Sequence, residues 1–239
     1  MEGPGAREAV PVSILDEQLA YYRARAPEYD EWFHRHGRYD RGGDRNAVWH
    51  AELEQVRSWL LALGLAHLDV LELAPGTGLW TQELLAAGAT VTAVDAAPEM
   101  LDALRRRCGG PGLTALRANL FDWTPPRRFD VLVACFFMSH VPDERFDAFL
   151  GLVSSSLRPN GRAFLLDGLR EPTSTARDHV LGGDRDQTTQ RRLDDGRTYE
   201  IVKVFRGDDE LVSACARAGL DVEVQRTPTY FQVVTGRRS

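Results

Sequence analysis

The stretch Val70-Leu71-Glu72-Leu73-Ala74-Pro75-Gly76-Thr77-Gly78-Leu79-Trp80 leaves this chain few folds to choose from. A short apolar run reads as a buried strand; two glycines follow, and a helical pattern starts directly after them. Glycine there lets the backbone pass close to a ligand. The next apolar run, 90–95, ends on Asp95, 23 residues after Glu72. An acid in that place can accept hydrogen bonds from both hydroxyls of a ribose. Strand, turn, helix, strand and terminal acid together predict a nucleoside site at the carboxyl ends of parallel strands. A dinucleotide would want a third glycine at the helix start, and Thr81 stands there instead.

The alternation continues. Apolar runs at 69–74, 90–95, 113–118, 129–136 and 161–167 predict buried parallel strands, with helices at 80–87, 97–108 and 143–157 between them. That order implies a doubly wound α/β sheet with right-handed crossovers, a Rossmann-like architecture. Downstream, 190–193 and 197–205 flank Asp194-Asp195-Gly196 and predict an inserted β-hairpin. A helix at 208–218 and two strands at 220–226 and 229–235 close the chain. Upstream, 13–43 is helical and aromatic, with Tyr21, Tyr22, Tyr29, Trp32, Phe33 and Tyr39, and reads as an arm outside the core. An amphipathic helix follows, carrying Trp49, Leu53, Val56, Leu60 and Leu63.

Composition narrows the function. The 239 residues are 43% hydrophobic and 27% charged, ordinary for one globular domain with additions. No apolar run approaches the ~20 residues of a membrane span, and Met1 to Ala9 hold no leader-like stretch, so a cytoplasmic protein is expected. Cys108, Cys135 and Cys215 are odd in number and far apart, against a disulfide framework or a zinc cluster, and no metal is expected. A net charge of −6 disfavours nucleic acid. Charge clusters such as Arg105-Arg106-Arg107 and Asp184-Arg185-Asp186 read as solvated faces. Lys203 is the only lysine.

The turn after the first strand resembles the first motif of class I S-adenosylmethionine-dependent methyltransferases, matched by Glu72, Gly76 and Gly78 around Thr77. Ala74 stands where that family has its first glycine, which suits alanine if φ is negative. Asp95-Ala96-Ala97-Pro98-Glu99-Met100-Leu101 resembles the second motif, with Met100 as an apolar wall. Ala118-Asn119-Leu120-Phe121-Asp122 resembles the third, with Asn119 in place of the commoner Asp. The run 129–143, which includes Phe136, resembles the fourth strand and its loop, and Leu157-Arg158-Pro159-Asn160-Gly161-Arg162 the turn into the fifth. The resemblance spans roughly 68–170. It implies a seven-stranded mixed sheet of order 3-2-1-4-5-7-6 with strand 7 antiparallel. The implied cofactor is S-adenosyl-L-methionine, and the implied partner is a small-molecule methyl acceptor. The methionine half would lie on Glu72, Ala74, Gly76, Thr77 and Gly78, the ribose on Asp95, and the adenine among Ala96, Met100, Asn119, Leu120 and Phe121, with Phe136 beside it.

Tyr21-Tyr22-Arg23-Ala24-Arg25-Ala26-Pro27-Glu28-Tyr29-Asp30 resembles the family's arm, which implies that Tyr22 and Arg25 reach the methionine carboxylate. The alternative is an amphipathic helix covering the sheet edge. His140 is the candidate general base, or else a residue that bonds the backbone and shapes the pocket. Trp32, Phe33 and Trp49 read as packing before stacking on substrate. The hairpin covers substrate through Tyr199 and Arg192, or pairs two copies in a homodimer. The parts expected are a lid arm (1–45), a cofactor core (46–170), an inserted loop and hairpin (171–206) and a terminal helix and hairpin (207–239). Methyl transfer to O, N or C of a secondary metabolite is the leading reading. Cofactor binding without transfer and a macromolecular acceptor are the alternatives.

Overall fold

A computed structural model describes residues 10–183 and 186–239; the expectations for Met1 to Ala9 and for Asp184-Arg185 lie outside the described residues. Strands β1 (Asp69–Leu73), β2 (Thr90–Asp95), β3 (Leu113–Arg117), β4 (Phe129–Cys135) and β5 (Leu157–Gly168) alternate with helices α4 (Leu79–Ala86), α5 (Pro98–Cys108) and α6 (Asp143–Ser156). Three helices precede them, α1 (Val12–Arg25), α2 (Tyr29–His34) and α3 (Gly43–Leu61). After β5 come β6 (Thr188–Arg192) and β7 (Thr198–Val202), then α7 (Asp208–Arg217), β8 (Leu220–Arg226) and β9 (Phe231–Arg238). The main sheet runs β3-β2-β1-β4-β5-β9-β8, and β6-β7 form a separate hairpin. Counted without the hairpin, this is the expected order. β1 to β5 pair in parallel, while β9 is antiparallel to both β5 and β8.

Alternating side chains on one strand serve two cores. Leu71 and Leu73 of β1 join Leu132, Phe149 and Leu150 on the α6 side, whereas Val70 joins Trp49, Val131 and Phe164 on the α3 side. Strands buried on both faces need apolar residues at every position, which is why they appeared as unbroken runs. β5 begins four residues before the predicted 161, since Leu157 already pairs with Phe129 across a register shift. Cys108, Cys135 and Cys215 are buried thiols, and no helix among the described residues is long and apolar enough to cross a membrane.

The arm departs from the expectation. Tyr21 and Tyr39 are fully buried, and Tyr21 shares a cluster with Leu193 and Ile201 of the hairpin. Gln18 bridges the two parts, its Nε2 donating to His140 O and its Oε1 accepting from Val202 N. Trp32 donates to Ser174 O, and Asp30 accepts from Thr77 Oγ1 and pairs with Arg107. Arm and hairpin therefore form one layer over the carboxyl ends of β1, β4 and β5. Periodicity could not show this, because the partner surface lies more than 100 residues away in the chain.

Candidate active site

β1 delivers Glu72 into the interior, where it is 1% exposed. Thr81 Oγ1 donates to its Oε2 at 2.6 Å, so the residue that stood in a glycine's place holds the acid in position. Past the strand, Ala74 has φ +51°, Gly76 φ +57° and Gly78 φ +89°. A Cβ on Gly76 would lie 3.4 Å from the Tyr29 ring, and one on Gly78 would lie 3.3 Å from Leu104 Cα of α5. Both glycines thus serve a positive φ and a close approach. The expectation of a negative φ at Ala74 is corrected: the turn is left-handed there too, a conformation that costs an L-residue about 1–2 kcal/mol. Phe136, just past the adjacent β4, repeats it at +59°. Ala74→Gly is expected to raise unfolding stability by about 0.5–1 kcal/mol, the strain relieved less the extra unfolded-state entropy of glycine. Urea denaturation measures it, and a loss of stability would contradict the strain.

Asp95, at the end of β2, is oriented by backbone donors: Ala97 N to Oδ1 at 2.8 Å and Gly76 N to Oδ2 at 3.3 Å. It lies on a cavity of about 840 Å³, lined also by Tyr22, Tyr29, Ala74, Gly76, Ala96, Met100, Asn119, Leu120, Phe121, Phe136, Phe137 and His140. Largely apolar walls, with the Asp95 carboxylate oriented inside and Asp16 and Gln18 also on the lining, suit a nucleoside, a flat ring system carrying a diol. A side pocket of about 280 Å³ shares Tyr29, Ala74, Cys135 and Phe136 with it and adds Glu72, Trp32, Phe33 and Trp80. Desolvation raises Glu72 to about 7 and Asp95 to about 6. A carboxylate that must accept from two hydroxyls binds best when ionised. Affinity for S-adenosylhomocysteine should therefore increase as pH rises through about 6, and be about tenfold weaker at pH 5 than at pH 8. Calorimetry across that range tests it; affinity flat with pH would exclude Asp95 as the acceptor.

A second cavity, about 690 Å³, shares Tyr22, Tyr29, Phe136 and His140 with the first. Those four side chains form the wall between them. His140 is buried, and its Nδ1 lies 2.7 Å from Val202 O. A carbonyl only accepts, so Nδ1 carries the proton and Nε2 accepts from the Tyr22 hydroxyl at 2.8 Å. Burial, then the positive charge of Lys203, hold the imidazole well below its ordinary pKa and therefore neutral. Behind it, fully buried Asp167 accepts from Ser139 N, Gly168 N and Lys203 Nζ. Burial opposes its charge, but Lys203 and the Ser139 donors keep it ionised.

Most of the expected residues meet in one place. Tyr22, Ala74, Gly76, Asp95, Ala96, Met100, Asn119, Leu120, Phe121, Phe136 and His140 line the first cavity, and Glu72 lines its side pocket. Thr77 and Gly78 line none of these: Thr77 is buried against Asp30, and Gly78 spaces α4 from α5. Asn119 is turned into a local loop, Oδ1 accepting from Phe121 N and Nδ2 donating to Asp122. Arg25 lines the second cavity, with Trp32 and Trp49; Trp49 is fully buried, its ring 4.7 Å from Phe231. Arg192 and Tyr199, expected as substrate contacts, line neither cavity. Strand alternation puts Thr189 and Arg191 inward and leaves Gln190 and Arg192 exposed. Arg191, Lys203, His179 and Asp167 are not among the residues the sequence assigns to the site; alternation along the hairpin separates Arg191 from Arg192 but does not tell which of the two faces inward.

Comparison with known proteins points to the methyltransferases. A family model described as a methyltransferase domain matches residues 70–161. The cypemycin N-terminal methyltransferase of Streptomyces sp is 33% identical over 50% of this chain and 48% of its own length. The ubiquinone biosynthesis O-methyltransferase of Xanthomonas euvesicatoria pv. vesicatoria is 31% identical over 67% of this chain and 66% of its own. The chain thus spans about half to two thirds of these curated relatives. Two solved structures match almost end to end. The DhpI-SAH complex has 32% identity, covers 96% of this chain and 99% of that one, and gives a TM-score of 0.78. The DhpI-SAM-HEP complex has 34% identity, 95% and 99% coverage, and a TM-score of 0.76.

Proposed function

The chain belongs to the class I S-adenosylmethionine-dependent methyltransferases, and from that membership we propose that it transfers the methyl group of S-adenosyl-L-methionine to an O, N or C nucleophile of a small molecule. The observation that carries this reading is the pair of cavities divided by Tyr22, Tyr29, Phe136 and His140. One suits the nucleoside at Asp95, and the other is a separate aromatic chamber for an acceptor. When bound, the cofactor supplies a methyl group already activated on a sulfonium.

The chain's own residues orient and exclude. Asp95 holds the ribose, Glu72 and the Gly76 turn hold the methionine half, and Met100, Leu120 and Phe121 enclose the adenine. Tyr22 and Arg25 reach from the arm toward the methionine carboxylate. Alignment in such a closed site contributes up to about 7–11 kcal/mol in well-oriented systems. We read 1–45 as the lid and 46–170 as the cofactor core. The 171–206 insertion is read as the acceptor cover, because β7 amides at Glu200 and Val202 are already taken by Glu17 and Gln18 of α1. A small acceptor fits an acidic chain better than nucleic acid does.

His140 Nε2 is placed to take a proton as the acceptor reacts, once the Tyr22 hydroxyl swings away or relays it. His140→Ala is expected to lower turnover by about 10²-fold at most, because an imidazole held so far below its ordinary pKa is a weak base, with little change in cofactor affinity. The wild-type rate at saturating cofactor should stay flat from pH 8 down to 6, because the imidazole is neutral throughout. Unchanged turnover in the variant would remove the base role. The overall reading is tested by incubating the protein with methyl-labelled cofactor and a metabolite extract. Label should pass to a small molecule as S-adenosylhomocysteine accumulates; tight cofactor binding with no labelled product across a broad panel would sink it.

A further inference from the structure

The second cavity is cationic, although the chain as a whole carries a net charge of −6. Arg25, Arg191 and Lys203 line it beside the imidazoles of His140 and His179, which burial holds neutral, and no carboxylate does. Arg25 and Arg191 are 9% and 8% exposed. Arg191 donates only from Nη1, to Thr189 Oγ1 and Gln190 O, both at 3.2 Å, and makes no ion pair with a carboxylate among the described residues. Arg25 Nε and the Tyr21 hydroxyl are buried with no hydrogen-bond partner. Arg25 is partly compensated by the Tyr29 ring, 4.9 Å away. Lys203, the only lysine of the chain, shares Asp167 with two backbone amides. Burial disfavours the charge on Arg191 and Lys203, and Arg25 repels both. Buried like charges with so few acidic partners are costly in the free protein and favourable once an anion lies among them.

We propose that Arg191 and Lys203, both carried by the inserted hairpin, bind an oxyanionic group of the methyl acceptor, carboxylate or phosphoryl, so that this methyltransferase selects small anionic acceptors. The inference rests on the methyltransferase reading of the site. The two cations approach from the hairpin side of the chamber, while Arg25 approaches from the arm, where the cofactor's own carboxylate is expected. Trp32, Phe205 and Tyr230 supply apolar wall for the rest of a small scaffold. Arg191 presents the planar fork that matches a carboxylate or phosphoryl edge, and Lys203 adds a point charge beside it. A neutral acceptor of the same shape would leave Arg191 without an anionic partner and Lys203 with Asp167 alone.

The test is calorimetric titration of the S-adenosylhomocysteine complex with phenyl phosphate, benzoate and neutral benzamide. At least one of the two anions is expected to bind tenfold or more tightly than benzamide, and which one does so separates phosphoryl from carboxylate recognition. Arg191→Gln should weaken that anion tenfold or more, Arg191→Lys less, with S-adenosylhomocysteine affinity unchanged. Should Arg191→Gln fail to fold, Arg191→Lys, which keeps the charge and loses the planar fork, carries the same comparison with a smaller weakening. Benzamide binding as well as both anions, no anion binding, or an anion affinity unmoved by the substitutions would overturn the proposal. The same titration on the free protein keeps the two claims apart: loss of S-adenosylhomocysteine binding with anion binding intact counts against the methyltransferase reading alone.

Discussion

Asp95→Ala is expected to weaken S-adenosylhomocysteine binding by about 10²–10³-fold, while the melting temperature of the free protein moves by no more than about 5 °C. The carboxylate is positioned by Ala97 N and Gly76 N with lone pairs left for two ribose hydroxyls. Hydrogen bonds to a charged acceptor contribute about 1.5–3 kcal/mol each, and losing two at the lower end of that range gives roughly 3–4 kcal/mol. Folding should not follow, because the surroundings already push Asp95 up to about 6 and disfavour its charge when no ligand is present. Calorimetry for binding and a thermal melt for folding separate the effects. A variant that keeps its affinity would move the ribose elsewhere; one that loses both would make Asp95 a structural residue.

Asp167→Ala should have the opposite signature, a loss of about 3–5 kcal/mol of stability, because it strands the buried Lys203 charge and the amides of Ser139 and Gly168. At this chain length that corresponds to roughly 6–20 °C in melting temperature. The double variant Asp167→Ala, Lys203→Met removes the stranded charge with its partner and should recover a large part of the loss. Chemical denaturation of the single and double variants measures the coupling. Additive losses would show that Asp167 acts through the backbone amides and not through Lys203. The residue matters to the site because Ser139 N, which it holds, immediately precedes His140.

The proposed cofactor half of the site was legible in the sequence for a local reason. Glu72, Gly76 and Asp95 sit at the ends of strands whose apolar runs mark where they stop, and a strand end dictates where the next side chain points. Ala74 shows the limit of that reading, since its left-handed φ of +51° is set by the turn geometry and not by residue type. Thr81 shows it again: a departure from a dinucleotide pattern is here the donor that secures Glu72.

The acceptor half was much less legible. His140 could be singled out by its place after the fourth strand, but its tautomer, its neutral state and its bond to Tyr22 depend on Val202 and on the arm, 62 and 118 residues away. Arg191 was missed in favour of Arg192, because a hairpin's inward face is defined by what it packs on, and the arm that it packs on was read as lying outside the core. By itself, the sequence determined the doubly wound sheet and the nucleoside corner, which follow from periodicity and strand ends, while the strand order was implied by the resemblance alone. Only the tertiary structure decided that arm and hairpin close over one chamber, and that this chamber gathers cations in an acidic chain, because burial and charge pairing belong to contacts between distant segments.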